Sequence, residues 1–274
     1  MICRHPKGRS VVSSSLRALL SEVPPWVVIL FWFGVFAGVS FGVRWAVRTW
    51  SGQERMEELA EHSHKLVGAL AATFAFLVGF AITITWSGVG DGQSAVEDQA
   101  AHAQQLAWSV RSMGDQAAAD RLLGDLKAYL TVAVTQDGDM LARGAGESLP
   151  SSAALDRLAN EVHSYAYSMG EPGPEATMIV TNVQELAMGQ ASIVALSQRQ
   201  LPILLAVLLV ISGIAMAAVA GIGAATISRP YLLLVWCFVS ALAISVAFIL
   251  DHPFGGTLAV DFRPIIVVAD SLPG

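Results

Sequence analysis

Four uninterrupted apolar runs organise this chain as two and two around a long polar stretch: residues 23–43, 66–89, 201–228 and 231–250. None of them contains a charged residue. A bilayer core needs about 20 apolar residues per helix, at roughly 1.5 Å rise each. Each run meets that length. The pattern therefore predicts an all-α, polytopic membrane protein with four transmembrane helices in a two-plus-two arrangement and a helical cytoplasmic insert.

The layout divides the chain into a basic tail (1–22), a first transmembrane hairpin (23–89), the insert (90–200), a second hairpin (201–250) and a C-terminal tail (251–274). The first apolar run is longer than the 7–15-residue core of a signal peptide and no clear A-x-A site follows it, so it reads as a retained helix. Residues 53–61, rich in Glu with little apolar face, predict a short solvated helix or a helical extension. Ser228-Arg229-Pro230 predicts a tight connection, with the proline opening the fourth span.

Within the insert the apolar period is helical. Val96, Ala100, Ala103, Ala107, Val110 and Gly114 continue straight from the second span. Leu122, Leu126, Tyr129 and Ala133 form a second stripe, with a stop expected at Gln136-Asp137-Gly138-Asp139. Leu155, Leu158, Val162 and Tyr165 form a third, closed by the Gly/Pro cluster at 170–174. Ile179, Val183, Leu186, Gln190, Ile193 and Ser197 are expected to run helically into the third span. Gly88-Val-Gly-Asp-Gly92 reads as a flexible segment leaving the membrane, since it lacks the lysine and preceding strand of a phosphate loop.

Small residues recur every fourth position in three spans: Gly34, Gly38 and Gly42; Ala71, Ala75, Gly79 and Thr83; Gly213, Ala217, Gly221 and Ala225. Such stripes let helix backbones approach closely, within one subunit or between subunits. They predict homo-oligomerisation in the lipid bilayer.

Composition sharpens the picture. The chain is 54% hydrophobic and 14% charged, with mean hydropathy +0.57. The net charge of −6 is concentrated in the insert, where 14 of the 22 acids face six bases. That imbalance argues against nucleic acid or anionic lipid as a partner of this region, since either would want a basic face. Lys and Arg near the span ends number six on the side of the termini (Arg4, Lys7, Arg9, Arg17, Arg199, Arg263) and five opposite (Arg44, Arg48, Arg55, Lys65, Arg229). The cluster before the first span predicts a cytoplasmic N-terminus, and with it a cytoplasmic insert and C-terminus.

Chemistry has little footing. His62 and His64 are two apart and point to different helix faces; Glu57, Glu58 and Glu61 read as a solvated face; Cys3 and Cys237 read as unrelated thiols. No catalytic constellation, metal site or cofactor is expected, so the chain reads as a non-enzyme. Spans without a charge also disfavour an ion-coupled pump. They leave room for a passive pore with an apolar constriction, for which one face of the second span, Leu66, Leu70, Thr73, Leu77, Phe80 and Ile84, supplies candidates.

Three segments carry a family resemblance. Gly68-Ala-Leu-Ala-Ala-Thr-Phe-Ala-Phe-Leu-Val-Gly-Phe-Ala81, reaching Trp86 and then Ala95-Val-Glu-Asp-Gln-Ala100, is the first. The others are Arg199-Gln-Leu-Pro202 and Leu250-Asp251-His252-Pro253-Phe254-Gly255-Gly256. Together they resemble the bestrophin-like bacterial membrane proteins over roughly residues 25–262. Gln99 stands where that pattern has Glu, Gly255-Gly256 where it has Ser-Gly, and 90–94 lacks its usual basic residues. The resemblance implies relatedness to bestrophins, which are pentameric chloride channels with an apolar neck from the second span. Carried over, it implies an anion channel with Leu77, Phe80 and Ile84 at a gate. A non-conducting sensor or scaffold, its insert binding a protein partner, is the competing class.

Overall fold

The computed structural model describes residues 24–142, 149–168, 173–228, 230–255 and 259–273. The basic tail with its four cationic residues, Cys3, Arg229, most of the 170–174 breaker and Gly256 lie outside that set. The described residues form helices and connections, with no strand among them.

The helices are α1 (Pro25–Trp50), α2 (Gln53–Arg111), α3 (Gln116–Val132), α4 (Gly138–Ala142), α5 (Pro150–Tyr167), α6 (Pro174–Ser197), α7 (Ile203–Gly223), α8 (Tyr231–Leu250) and α9 (Arg263–Ser271). Four of them, α1, α2, α7 and α8, are long and apolar enough to cross a membrane. Prolines open α1, α5 and α6 at a position where the missing N–H has no helical partner to lose. Asp115 caps α3 by accepting from the Ala118 N–H at 3.0 Å.

The chain divides into two compact units, one of Val23–Ser87 with Gln200–Asp251, the other built from Gly88–Arg199 and the chain from His252. In the first, α1 packs on α7 and α8. Its core joins Phe36, Phe74, Val78, Ala81, Leu209, Ala217, Cys237, Ala241 and Ile244. Aromatic rings knit it: Trp32 stacks on Phe248 at 5.6 Å, and Phe36 meets Phe74 edge-on at 6.4 Å. In the second unit, the C-terminal part of α2 packs with α3, α5, α6 and α9 around Leu106, Leu122, Leu126, Leu158, Leu186 and Ile265.

Four expectations need correction. Gly88–Gly92 is not a flexible exit but an interior stretch of the continuous 59-residue helix α2. Glycine costs helix about 1 kcal/mol relative to alanine, yet Gly92 is a packing position, where an added Cβ would stand 3.0 Å from Val260 Cγ2 and 3.5 Å from the Phe254 ring. Residues 136–139 do not stop the third stripe's predecessor; the chain passes through a π turn at Ala133–Asp137 and continues as α4. The side chain of Asp137 turns inward there and takes two donors from Ser151.

The third correction is that α6 does not lead into the third span. It ends at Ser197, and α7 begins only after Pro202, because a proline biases the residue before it away from helix. Finally, 251–274 is more than a tail. It contains α9, amphipathic and packed on α3. Arg111 Nη2 donates to the Ser271 carbonyl at 3.0 Å and Lys127 Nζ to that of Leu272 at 3.2 Å.

Candidate functional site

The second span presents two opposite faces. Phe74, Val78, Ala81 and Thr85 turn into the core of the membrane unit. The face turned directly away from them carries Ala69, Ala72, Thr73, Phe76, Gly79, Phe80, Thr83 and Ser87, all exposed. Residues three and four apart share a helix face, so these form one continuous strip. At its middle the Phe76 and Phe80 rings stack at 6.2 Å with planes 2° apart. They are 70% and 49% exposed, large apolar groups with no cover inside the protomer.

The sequence-derived trio is only partly on this strip. Phe80 is. Leu77 and Ile84 lie at its flank, half-buried and packed against the core. Phe76, unmarked in the sequence reading, stands at the centre. The stripe drawn from Leu66 in alternating steps of four and three follows a face beside this strip, and only the placement of Phe74 and Val78 in the core shows which direction is outward.

The strip has little hydrogen-bonding capacity to offer. Thr73 Oγ1 donates to the Ala69 carbonyl at 3.0 Å and Thr83 Oγ1 to that of Gly79 at 2.8 Å. Both hydroxyl protons are therefore spent on the helix itself. With no charge between Leu66 and Val89, this strip presents an apolar surface and aromatic rings.

The glycines separate in the same way. Gly213 lies under Phe36 and Phe74, where a Cβ would sit 3.0 and 3.1 Å from their rings. Gly221 lies under the Ser40 backbone. Gly34, Gly38, Gly42 and Gly79 face open space within the protomer.

Trp86 is exposed near the end of the strip, whereas Gln99 is buried in the other unit. Gln99 Nε2 donates to the Tyr129 hydroxyl, while its Oε1 has no partner among the described residues. Burial, with the Asp137 carboxylate adding to it, pushes the Tyr129 pKa up. Burial likewise raises the pKa of Asp137, against the hydrogen bonds from Ser151. Gln190 Nε2 extends this chain of contacts by donating to Ser151 Oγ at 2.7 Å. Sequence reasoning used Asp137 as a helix stop and missed its interior position; its signal was a lone acid at the end of an otherwise apolar stripe.

The motif around Asp251 closes the fourth span. Asp251 Oδ1 accepts from the Leu201 N–H at 2.5 Å, beside Pro202 at the start of α7. Further on, Phe254 is buried, and a Cβ at Gly255 would touch Ala142 Cβ at 3.4 Å. Pro253 accepts from the Val260 N–H at 2.9 Å. His62, His64 and Glu57, Glu58 and Glu61 form no metal-holding group among the described residues; Glu61 pairs with Lys65 at 2.8 Å on the surface.

Fold and sites together define an all-helical membrane protein with four helices long and apolar enough to cross a bilayer. The Bestrophin-like domain matches residues 34–265, and the chain belongs to that family. Two point variants of a bacterial bestrophin homologue from Klebsiella pneumoniae have a similar fold. Each gives a TM-score of 0.67 at 14% sequence identity, covering 88% of this chain and 96% of that one. A third variant of the same homologue gives 0.65, covering 88% and 94%. No curated protein sequence matches the chain.

Proposed function

We propose that this protein is a passive anion channel of bestrophin type, formed by several copies that bring their α2 strips together around an axis. The observation that carries this reading is the Phe76–Phe80 pair, large and uncovered on the face of α2 opposite its packed side. In water-filled surroundings that face would be costly; as the wall of a narrow pore it is an apolar constriction that controls wetting. The edge of an aromatic ring is electropositive, which favours an anion such as chloride over a cation as the ion that passes. Phe80 is the principal gate residue, Phe76 its support, and Leu77 and Ile84 set the rotation of the helix from its flank.

Five copies is the expected number, by analogy with bestrophins. The open faces of Gly34, Gly38 and Gly42 on α1 supply surfaces for neighbouring helices. The protein resides in the bacterial cytoplasmic membrane, with its termini and the insert on the cytoplasmic side. Membership of the bestrophin-like family supports a channel over an enzyme; in a non-conducting scaffold the aromatic pair would lie against lipid, as the exposed Leu204 and Leu232 of other spans can, so flux decides between the two.

Chloride flux through the purified protein in liposomes tests the reading. Phe80→Ala is expected to raise flux, Phe76→Ala to raise it less, and Ile84→Ala least. Absence of flux from folded, oligomeric protein overturns the channel. Flux that none of the three variants alters moves the gate elsewhere.

A further inference from the structure

Two arginines at the end of α1 converge on the end of α7. Arg44 Nε donates to the Ala224 carbonyl at 3.0 Å and its Nη2 to that of Ile227 at 2.7 Å. Arg48 Nε donates to the Ala225 carbonyl at 2.6 Å and its Nη2 to the same Ile227 oxygen at 2.7 Å. Sharing one acceptor holds the two guanidiniums side by side.

Capping a helix C-terminus explains one of these cations. The end of a helix carries roughly half a negative charge, against two full positive charges here. Among the described residues neither guanidinium has a carboxylate within ion-pairing distance. Each also retains its Nη1 with no protein acceptor among those residues. With Nε and Nη2 of both spent on carbonyls, the Nη1 ends remain as paired N–H donors carrying excess positive charge, which suits the oxygens of a phosphate group.

The surroundings indicate where that phosphate comes from. Trp45 and Trp50, 64% and 78% exposed, lie on the same last turns of α1 and meet edge to face at 6.3 Å. Tryptophans at the end of an apolar span sit at headgroup level in a bilayer. Arg44 follows directly on the uncharged run that ends at Val43, which sets the guanidiniums at the depth of lipid phosphates.

We propose that Arg44 and Arg48 form a binding site for the phosphate of an anionic phospholipid headgroup. The bound lipid neutralises the pair and clamps the α1 end to the α7 end through the Ala224–Ile227 carbonyls. Lipid composition thereby tunes the stability of the membrane unit.

Native mass spectrometry of the full-length protein, given phosphatidylglycerol, phosphatidylcholine or inorganic phosphate, tests this. Phosphatidylglycerol is expected to be retained over phosphatidylcholine. Arg44→Gln with Arg48→Gln, which leaves amide donors for the carbonyls, should lower that preference about ten-fold. Should the double variant not fold, a photo-crosslinkable phosphatidylglycerol on the unaltered protein is expected to label residues 44–50 or 224–228. Equal retention of the two lipids, labelling elsewhere, or a preference unchanged in a folded double variant overturns the proposal. Inorganic phosphate that competes phosphatidylglycerol away and stabilises the protein equally overturns the headgroup as the source and leaves a free oxyanion site.

Discussion

Gly221 on α7 sits directly beneath the carbonyl of Ser40 on α1, so closely that no side chain fits between the two backbones. Ser40 reinforces the approach by donating from its hydroxyl to the Ala217 carbonyl at 2.8 Å, one turn earlier. The contact at Gly221 is with backbone, which cannot rotate away as a side chain can. Gly221→Ala should therefore force α1 and α7 apart and cost about 1–3 kcal/mol or more. Gly34→Ala, Gly38→Ala and Gly42→Ala should leave the α1–α7 contact intact and, through helix propensity, hold or raise the protomer's thermal stability by up to about 1 kcal/mol each, since each faces open space within it. If copies pack through that stripe, these three shift the oligomer distribution instead. Thermal melts and size-exclusion profiles of the four variants in detergent separate the two outcomes.

Asp251 joins the close of the fourth span to the opening of the third by accepting the Leu201 N–H. Proline at 202 has no N–H of its own, which makes the Leu201 donor the last one before α7. Asp251→Ala removes a charged acceptor from a partly buried donor, a loss of about 1–3 kcal/mol. Asp251→Asn keeps an oxygen in the same place and should recover at least half of it. A melt in which Asn is no better than Ala would show that charge, not acceptance, is what this position supplies.

The four spans were legible because membrane helices write themselves as uncharged runs, and the insert's stripes because Leu122, Leu126 and Leu186 keep helical period into a real core. What stayed hidden has physical causes. Gly88–Gly92 looked flexible because propensity is local, while its helix is held by tertiary neighbours such as Phe254. The small amphipathic helix α9 lay behind a motif that reads as a chain end. On the second span, every residue of an apolar run looks alike until one face is known to be packed; Phe76 could not be told from Phe74 by sequence, though one is exposed and the other buried.

Gln99 and Tyr129 form a half-satisfied pair. Gln99 gives one N–H to the Tyr129 hydroxyl, and its oxygen finds nothing among the described residues. Tyr129→Phe strands the donor as well and should cost about 1–3 kcal/mol. Gln99→Leu in turn strands the buried Tyr129 hydroxyl, so the double variant Gln99→Leu with Tyr129→Phe, which leaves neither group unpaired, should cost less than the sum of the two single changes. Chemical denaturation of the full-length protein ranks the three; a double variant as costly as the sum of the singles would mean that the pair contributes nothing as a pair.

Asp137 gives the protein a pH dependence of definite sign. Its pKa is raised above the ordinary value of 3.8, chiefly by burial, with the Ser151 hydrogen bonds acting the other way. The folded state thus holds this proton more tightly than the unfolded chain. Folding gains from it below the unfolded value, and the gain is lost as pH rises through the folded one. Above its folded pKa the native carboxylate is charged at a cost, offset among the described residues by the Ser151 N–H at 3.1 Å and the Ser151 hydroxyl. Asp137→Asn carries no titration, so its stability relative to the native protein should climb with pH from about 4 and then level off once Asp137 is ionised. Asp137→Ala also loses the titration but leaves two Ser151 donors unpaired, and should lie below Asp137→Asn at every pH by about 1–3 kcal/mol. Melting temperatures of the three proteins across a pH series decide it. A difference between native and Asn forms that is flat with pH would place the Asp137 pKa at its unfolded value and remove burial as its governing influence.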